Sequence, residues 1–280
     1  MAIKSILVHV DTDRRSDVRI ELAAHLAKSW RAHLIGLHVS ARSYIPSYAR
    51  SELDPAMLEK LRQGSTATKE RMAGAFGAAA IRHGLVGPEM QVTEGDAPSV
   101  FALAARFADL VIVGQHDPEE AGGTVEPNFP EILALTVGRP VMVIPFAGNF
   151  STIGHRVMIA WDARREATRA VSDALPLLQQ AEEITILMVN PHGEESRNGK
   201  ESGAMLVRYL GRHDIKATLA SHTGVQIDVA DFILSQAADR NADLIVMGAY
   251  GHARIREVVF GGVTQSMMRH MIVPTLMSHY

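Results

Sequence analysis

Four glycines, a threonine and an upstream aspartate are the residues of this chain best suited to act together on a ligand. They lie in "GAYGHARIREVVFGGVT", Gly248 to Thr264, and at Asp162. Glycine lets backbone N–H groups come close to an anion, because no Cβ stands in the way. Gly248 closes an apolar run, "ADLIVM", and Gly251 follows three residues later. Gly261 and Gly262 stand beyond a nine-residue spacer, and Val263 and Thr264 open a helical-looking tail. A helix N-terminus adds free N–H groups and a favourable dipole. These are the parts of a phosphate site. Thr264 adds a hydroxyl in the first helical turn, and Asp162, after a second apolar run, can accept from a ribose hydroxyl or a base amino group. The plain alternatives are glycines that serve tight turns only and an aspartate that caps a helix. His252, Arg254 and Arg256 lie in the spacer, within reach of phosphates or simply solvated.

Such residues meet only if the fold brings the ends of two apolar runs to one edge. The chain repeats itself in a way that supplies this. "SILVHVDTDRRSDVRIELAAHLAKSWRAHLIGLHV" and "RVMIAWDARREATRAVSDALPLLQQAEEITILMV" share one pattern: an apolar run, an aspartate, a polar opening, an amphipathic stretch and a second apolar run. Asp11 and Asp162 hold the same place in the two copies. Further on, "ADLVIVG" matches "ADLIVMG" and "RPVMVIP" matches "VPTLMSH", both at an offset of 134 residues. A duplicated domain follows, with expected bounds 1–148 and 154–280 and a linker near "FAGNFSTIGH". Continuous Val, Ile and Leu runs mark strands buried on both faces. The stretches between them have helical period. Alternating β and α predicts two five-stranded, doubly wound parallel sheets with helices on both faces. In that fold ligands bind outside the carboxyl ends of the strands, where Gly248 and Asp162 fall. The long insert between Ser40 and Gly87 predicts a helix opened by Asp54 and Pro55. Met267, Met268 and Met271 fit a buried helical stripe.

Strand–G–x–x–G–(nine residues)–G–G, closing an α/β domain with an aspartate after its first strand, resembles the universal stress protein family over nearly the whole chain, as two tandem copies. The resemblance implies strand order 3-2-1-4-5, the adenine nucleotide α-hydrolase-like arrangement, and association through the last strand. It implies ATP, with Mg²⁺, at Gly248, Gly251, Gly261 and Gly262, with Met247, His252, Val263 and Thr264 beside them. Asp162 and the main chain near Val189 would face the nucleoside. Gly262 stands where the family has a serine or threonine, so one hydroxyl is missing. The first half departs throughout: Asp117, Pro127, Asn128 and Pro130 stand at the positions of Gly251, Gly261, Gly262 and Thr264. Proline removes donors, and Asp117, Glu119, Glu120 and Glu126 bring negative charge. The expectation is that only the second half takes a nucleotide, although Asp11 is kept.

Charge is nearly balanced, 28 basic against 31 acidic residues, which points away from nucleic acid. No cysteine is present, so disulfides and a thiol nucleophile are excluded. "MAIKSILVHVD" does not read as a signal peptide, and no run reaches the ~18 apolar residues of a membrane span. A cytoplasmic location is expected. None of the 13 histidines has a metal spacing. P-loop, dinucleotide-turn and nucleophile-elbow motifs are missing, and no general base stands by the phosphates. The expected protein is a stress-response regulator that binds ATP. It pairs its halves through their last strands, forms a homodimer and meets an unidentified protein partner. A nucleotide-free adaptor and a slow ATPase are the alternatives.

Overall fold

The computed structural model describes residues 2–40, 55–120, 126–190, 194–251 and 262–280. In the first half the elements run β1 Ser5–His9, α1 Ser16–Trp30, β2 His33–Ser40, α2 Pro55–Arg82, β3 Glu89–Glu94, α3 Ala97–Ala104, β4 Leu110–Gly114, α4 Phe129–Thr136 and β5 Val141–Ile144. The second half repeats them as β6 Arg156–Ala160, α5 Arg165–Leu178, β7 Glu183–Val189, α6 Glu194–Gly211, β8 Thr218–His222, α7 Val229–Asp239, β9 Leu244–Gly248, α8 Gly262–His270 and β10 Thr275–Ser278. Asp54, expected to open the long helix, lies outside the described residues.

The strands form one sheet in the order β3-β2-β1-β4-β5-β10-β9-β6-β7-β8. Each half is therefore 3-2-1-4-5 and parallel throughout. The halves meet where β5 and β10 pair antiparallel, with Leu276 opposite Met142. This junction covers the edge strand that each half would otherwise leave open. Both strands are buried along their length; β5 is apolar throughout, while β10 buries Thr275 and Ser278 at its two ends.

Successive strand residues point to opposite faces. Ile6 and Val8 face α1 and α2, while Leu7 faces the layer of α3 and α4. In the second half Val157 and Ile159 pack under α5, and Met158 packs toward α7 and α8. The methionine stripe Met267, Met268 and Met271 is buried in that second layer.

The repeated "ADL" fixes strand register at the amino edge. Asp109 accepts from the N–H groups of Lys4 and Ser5, at 2.8 and 3.0 Å. Asp243 does the same for Gly154, His155 and Arg156. Each carboxylate ties the loop before the fourth strand of its half to the start of the first. The carboxyl ends of both strands then lie side by side, which brings Gly114 near Asp11 and Gly248 near Asp162.

Candidate functional site

Gly248 is the last residue of β9, and a Cβ there would meet Ala167 N at 2.6 Å and Glu166 C at 2.7 Å. The glycine thus lets the first turn of α5 lie directly on the strand end. Three residues on, a Cβ at Gly251 would stand 3.3 Å from both Arg164 Cδ and Glu166 Oε2. Gly262 begins α8, and a Cβ there would meet none of the described residues within 4 Å. Thr264 is buried, and its hydroxyl accepts from Tyr250 N at 3.1 Å. It holds the turn after β9 against α8. Val263 is half-buried beside it, and Met247 is buried one residue before Gly248. His252 and Gly261, with Arg254 and Arg256, lie outside the described residues.

Asp162 is exposed, and its Oδ1 accepts from Arg164 N at 3.0 Å, which shapes the entry to α5. Val189 ends β7 on the same edge. Next to it Asn190 clasps Val225, donating to its carbonyl at 2.7 Å and accepting from its N–H at 2.9 Å. Trp161 is half-buried against the core, with Nε1 3.3 Å from the Ser202 hydroxyl.

Three non-glycine residues of this edge hold left-handed backbone: Asn190 at φ 44 after β7, and Ala163 at φ 62 and Tyr250 at φ 58 beside the Gly251 turn. Such conformations cost on the order of 1–3 kcal/mol and persist where the surroundings enforce them. The residues of the first half that match Ala163 and Tyr250, Thr12 and His116, are not among the positive-φ residues. At those two positions the strain thus sits in the turns that flank Gly251. Tyr250 is itself buried, and burial, then the charge of Glu131 from the other half, pushes its phenol pKa up.

Sequence reasoning left out three residues that face Gly251 or neighbour those that do: Arg164, Arg165 and Glu166. Glu166 is buried, and Arg165 Nε donates to its Oε1 at 3.1 Å. Arg165 also lies over the Tyr280 ring, 5.1 Å from its centroid. Arg164 has no carboxylate nearer than Asp162, at 3.9 Å, among the described residues. Comparing the two copies residue by residue gives the signal, since the offset that carries Asp11 to Asp162 carries Asp13 to Arg164.

The first half fills the same place from within. Arg19 is 2% exposed, donates from Nε to His9 O at 2.8 Å, and pairs with Asp11 at 2.7 Å. A Cβ at Gly114 would land on its guanidinium. Gly114 here makes room for an arginine of the protein itself. At the matching position of α5 stands Ala170, fully buried, so that helix can close onto Gly248.

His9 pairs with Asp11 at 3.1 Å and packs edge-on to Phe101. Burial pushes the His9 pKa down to about 4 against the pull of Asp11. Burial works to raise the Asp11 carboxyl, but Arg19 and His9 outweigh it and hold it below the ordinary value. Arg14 pairs with Asp117, and its N–H donates to Glu120 at 2.9 Å. A cleft of about 20 Å³ remains among His9, Asp11, Asp13, Asp117 and Glu126, room for a water.

The model of the universal stress protein family matches residues 2–145 and again 154–279. The chain belongs to the universal stress protein family. Among solved structures, this universal stress protein is similar to one from Archaeoglobus fulgidus DSM 4304. That match has 16% identity, 98% of each chain covered and a TM-score of 0.72. A functionally unknown protein from Pseudomonas aeruginosa PAO1 is 14% identical, with 99% of this chain and 93% of that chain covered and a TM-score of 0.57. A universal stress protein in complex with cAMP is 18% identical, with 51% of this chain and 98% of that chain covered and a TM-score of 0.35. A search of curated proteins found no match. No described helix is long and apolar enough to cross a membrane.

Proposed function

We propose that this chain is a cytoplasmic stress-response regulator of two domains, 1–148 and 154–280, that binds ATP in the second domain and not in the first. The observation that carries the reading is the contrast between the strand-end turns of the two halves. In the first half the space over Gly114 holds Arg19, an arginine of the protein. In the second half the matching residue is Ala170, the first turn of α5 takes the space over Gly248, and left-handed backbone adjoins an exposed Gly251 with Arg164 and Glu166 beside it. Nucleotide phosphates would lie over Gly251 and the start of α8, with the nucleoside toward Asp162 and Val189. Among the described residues no group of three or more His, Asp or Glu could hold a metal ion. Mg²⁺ would enter on the phosphates themselves, as it does where few carboxylates are offered. Binding is the expected activity, with hydrolysis slow at most. A homodimer built on the joined halves, and a protein partner that reads the nucleotide state, complete the proposal.

Calorimetric titration of the nucleotide-stripped chain with Mg-ATP tests it. One site per chain is expected, lost in Gly251→Asp, whose carboxylate would lie against Arg164. Two sites would mean that Arg19 yields its place to a ligand. No heat at millimolar ATP would remove the nucleotide reading and leave the adaptor.

A further inference from the structure

We infer that Arg164 is the residue by which the second half recognises nucleotide charge, and that Glu166 sets how tightly it does so; the inference rests on the nucleotide reading above. The observation is the arrangement around Gly251. Arg164 lies alongside that residue, with Cδ 3.3 Å and Nη1 3.7 Å from the position of a Gly251 Cβ. A phosphate drawn to the N–H groups of the turn would meet this guanidinium first. Guanidinium and phosphate make charge-assisted, often bidentate hydrogen bonds.

The neighbouring charges decide which arginine is available. Arg165 is committed to the Glu166 carboxylate on one side and the Tyr280 ring on the other. Among the described residues Arg164 has only Asp162, at 3.9 Å, a distance beyond a direct hydrogen bond. Asp162 is itself occupied with the N–H of Arg164. The carboxylate of Glu166 stands as close to the Gly251 position as Arg164 does, 3.3 Å. It repels a phosphate there and is partly neutralised by Arg165. Among the described residues the site is thus a balance: one arginine for the ligand, one glutamate against it, and a second arginine that screens the glutamate.

The first half shows the reverse arrangement at the same positions. Asp13 replaces Arg164 and Asp117 replaces Gly251. Arg14, the counterpart of Arg165, is paired with Asp117. An anion approaching that edge meets carboxylates, and one approaching the second half meets Arg164. The charge difference between the two mouths is carried by the turn after the first strand, Asp13 against Arg164, together with Asp117 against Gly251 after the fourth.

The experiment compares adenosine, AMP and Mg-ATP by calorimetry on the full chain and on Arg164→Gln, Arg164→Lys and Glu166→Gln. Near-ultraviolet circular dichroism checks that each variant is folded. The expected result is that Arg164→Gln weakens Mg-ATP by about tenfold or more, the scale of one lost charged hydrogen bond, and leaves adenosine unchanged. Arg164→Lys should recover part of the loss, because a point charge replaces a planar fork. Glu166→Gln should tighten Mg-ATP and leave adenosine alone. Equal weakening of adenosine and ATP in Arg164→Gln would overturn the inference while keeping the site. Unchanged ATP affinity in folded Arg164→Gln would also overturn it. Failure of the unmodified chain to bind any of the three ligands would remove the nucleotide reading together with the inference.

Discussion

Removing the Arg19 guanidinium strands a carboxylate. In the folded chain Asp11 is 3% exposed and Arg19 2%. Arg19→Ala therefore leaves a buried charge whose remaining partners are neutral His9 and the N–H of Asp13. Breaking a buried pair from one side costs about 3–5 kcal/mol, because the surviving ion keeps its desolvation penalty. For a domain of this size the melting temperature should fall by roughly 10 °C. The pH dependence separates this cause from lost packing. In the unmodified chain the Asp11 pKa is depressed, so its stabilisation is present above the ordinary aspartate value and is lost as pH falls through the folded value. In Arg19→Ala burial acts with little opposition and raises that pKa, so the penalty is present at neutral pH and fades as the carboxyl takes up its proton. The gap between the two proteins should be widest near about pH 7–8 and close toward about pH 4. Urea unfolding across that range, followed by a probe in the first half, measures it. Asp11→Asn placed on top of Arg19→Ala should recover stability at neutral pH, since it removes the stranded charge. A cost below about 1 kcal/mol at neutral pH, or a cost that grows as pH falls, would refute the reasoning.

Two further outcomes follow from neighbouring residues. Burial, then the Asp11 charge, raises the Asp13 pKa to about 7, with Arg19 opposing. A raised carboxyl stabilises fully below its unfolded value and loses that contribution as pH rises through about 7. Asp13→Asn should then gain on the unmodified chain between about pH 5 and pH 8, by roughly 1 kcal/mol once solvent screening is allowed for. Parallel urea midpoints over that range would contradict it. At Gly262 an added Cβ meets none of the described residues within 4 Å. Gly262→Ser should be neutral for folding and should tighten Mg-ATP by about three- to tenfold through one more hydroxyl. Unchanged affinity in calorimetry would place the start of α8 away from the phosphates.

The duplicated parallel-sheet architecture was legible because it rests on period and repetition, whereas the strand order and the join through the last strands were implied by the family resemblance. Continuous apolar runs at matched offsets leave one economical arrangement, a duplicated parallel sheet, in which β5 and β10 are buried along their length. The glycine spacing was equally visible. What each glycine does was not. Gly114 and Gly248 are the same letter at the same strand end, yet one admits an arginine and the other a helix backbone. That difference is set across 95 residues of chain by Arg19 and across 78 by Ala170, which follows from the numbering alone. Thr264 illustrates the same limit: its hydroxyl, read as facing a ligand, accepts from Tyr250 N and is buried.

The sequence by itself determined the architecture, the duplication and the inequality of the two halves, because apolar period, repeat offset and the presence of proline or glycine act locally or by simple alignment. Only the tertiary structure decided where the charges stand. Asp11 and Asp162 are equivalent in the chain, but one is sealed in a pair with Arg19 and the other is exposed at the entry to α5. Arg164, Arg165 and Glu166 read as an ordinary polar helix start until β9 is laid beside them. Electrostatics depends on distance and burial, and both are fixed by which helix crosses which strand end, a property that no local window of residues contains.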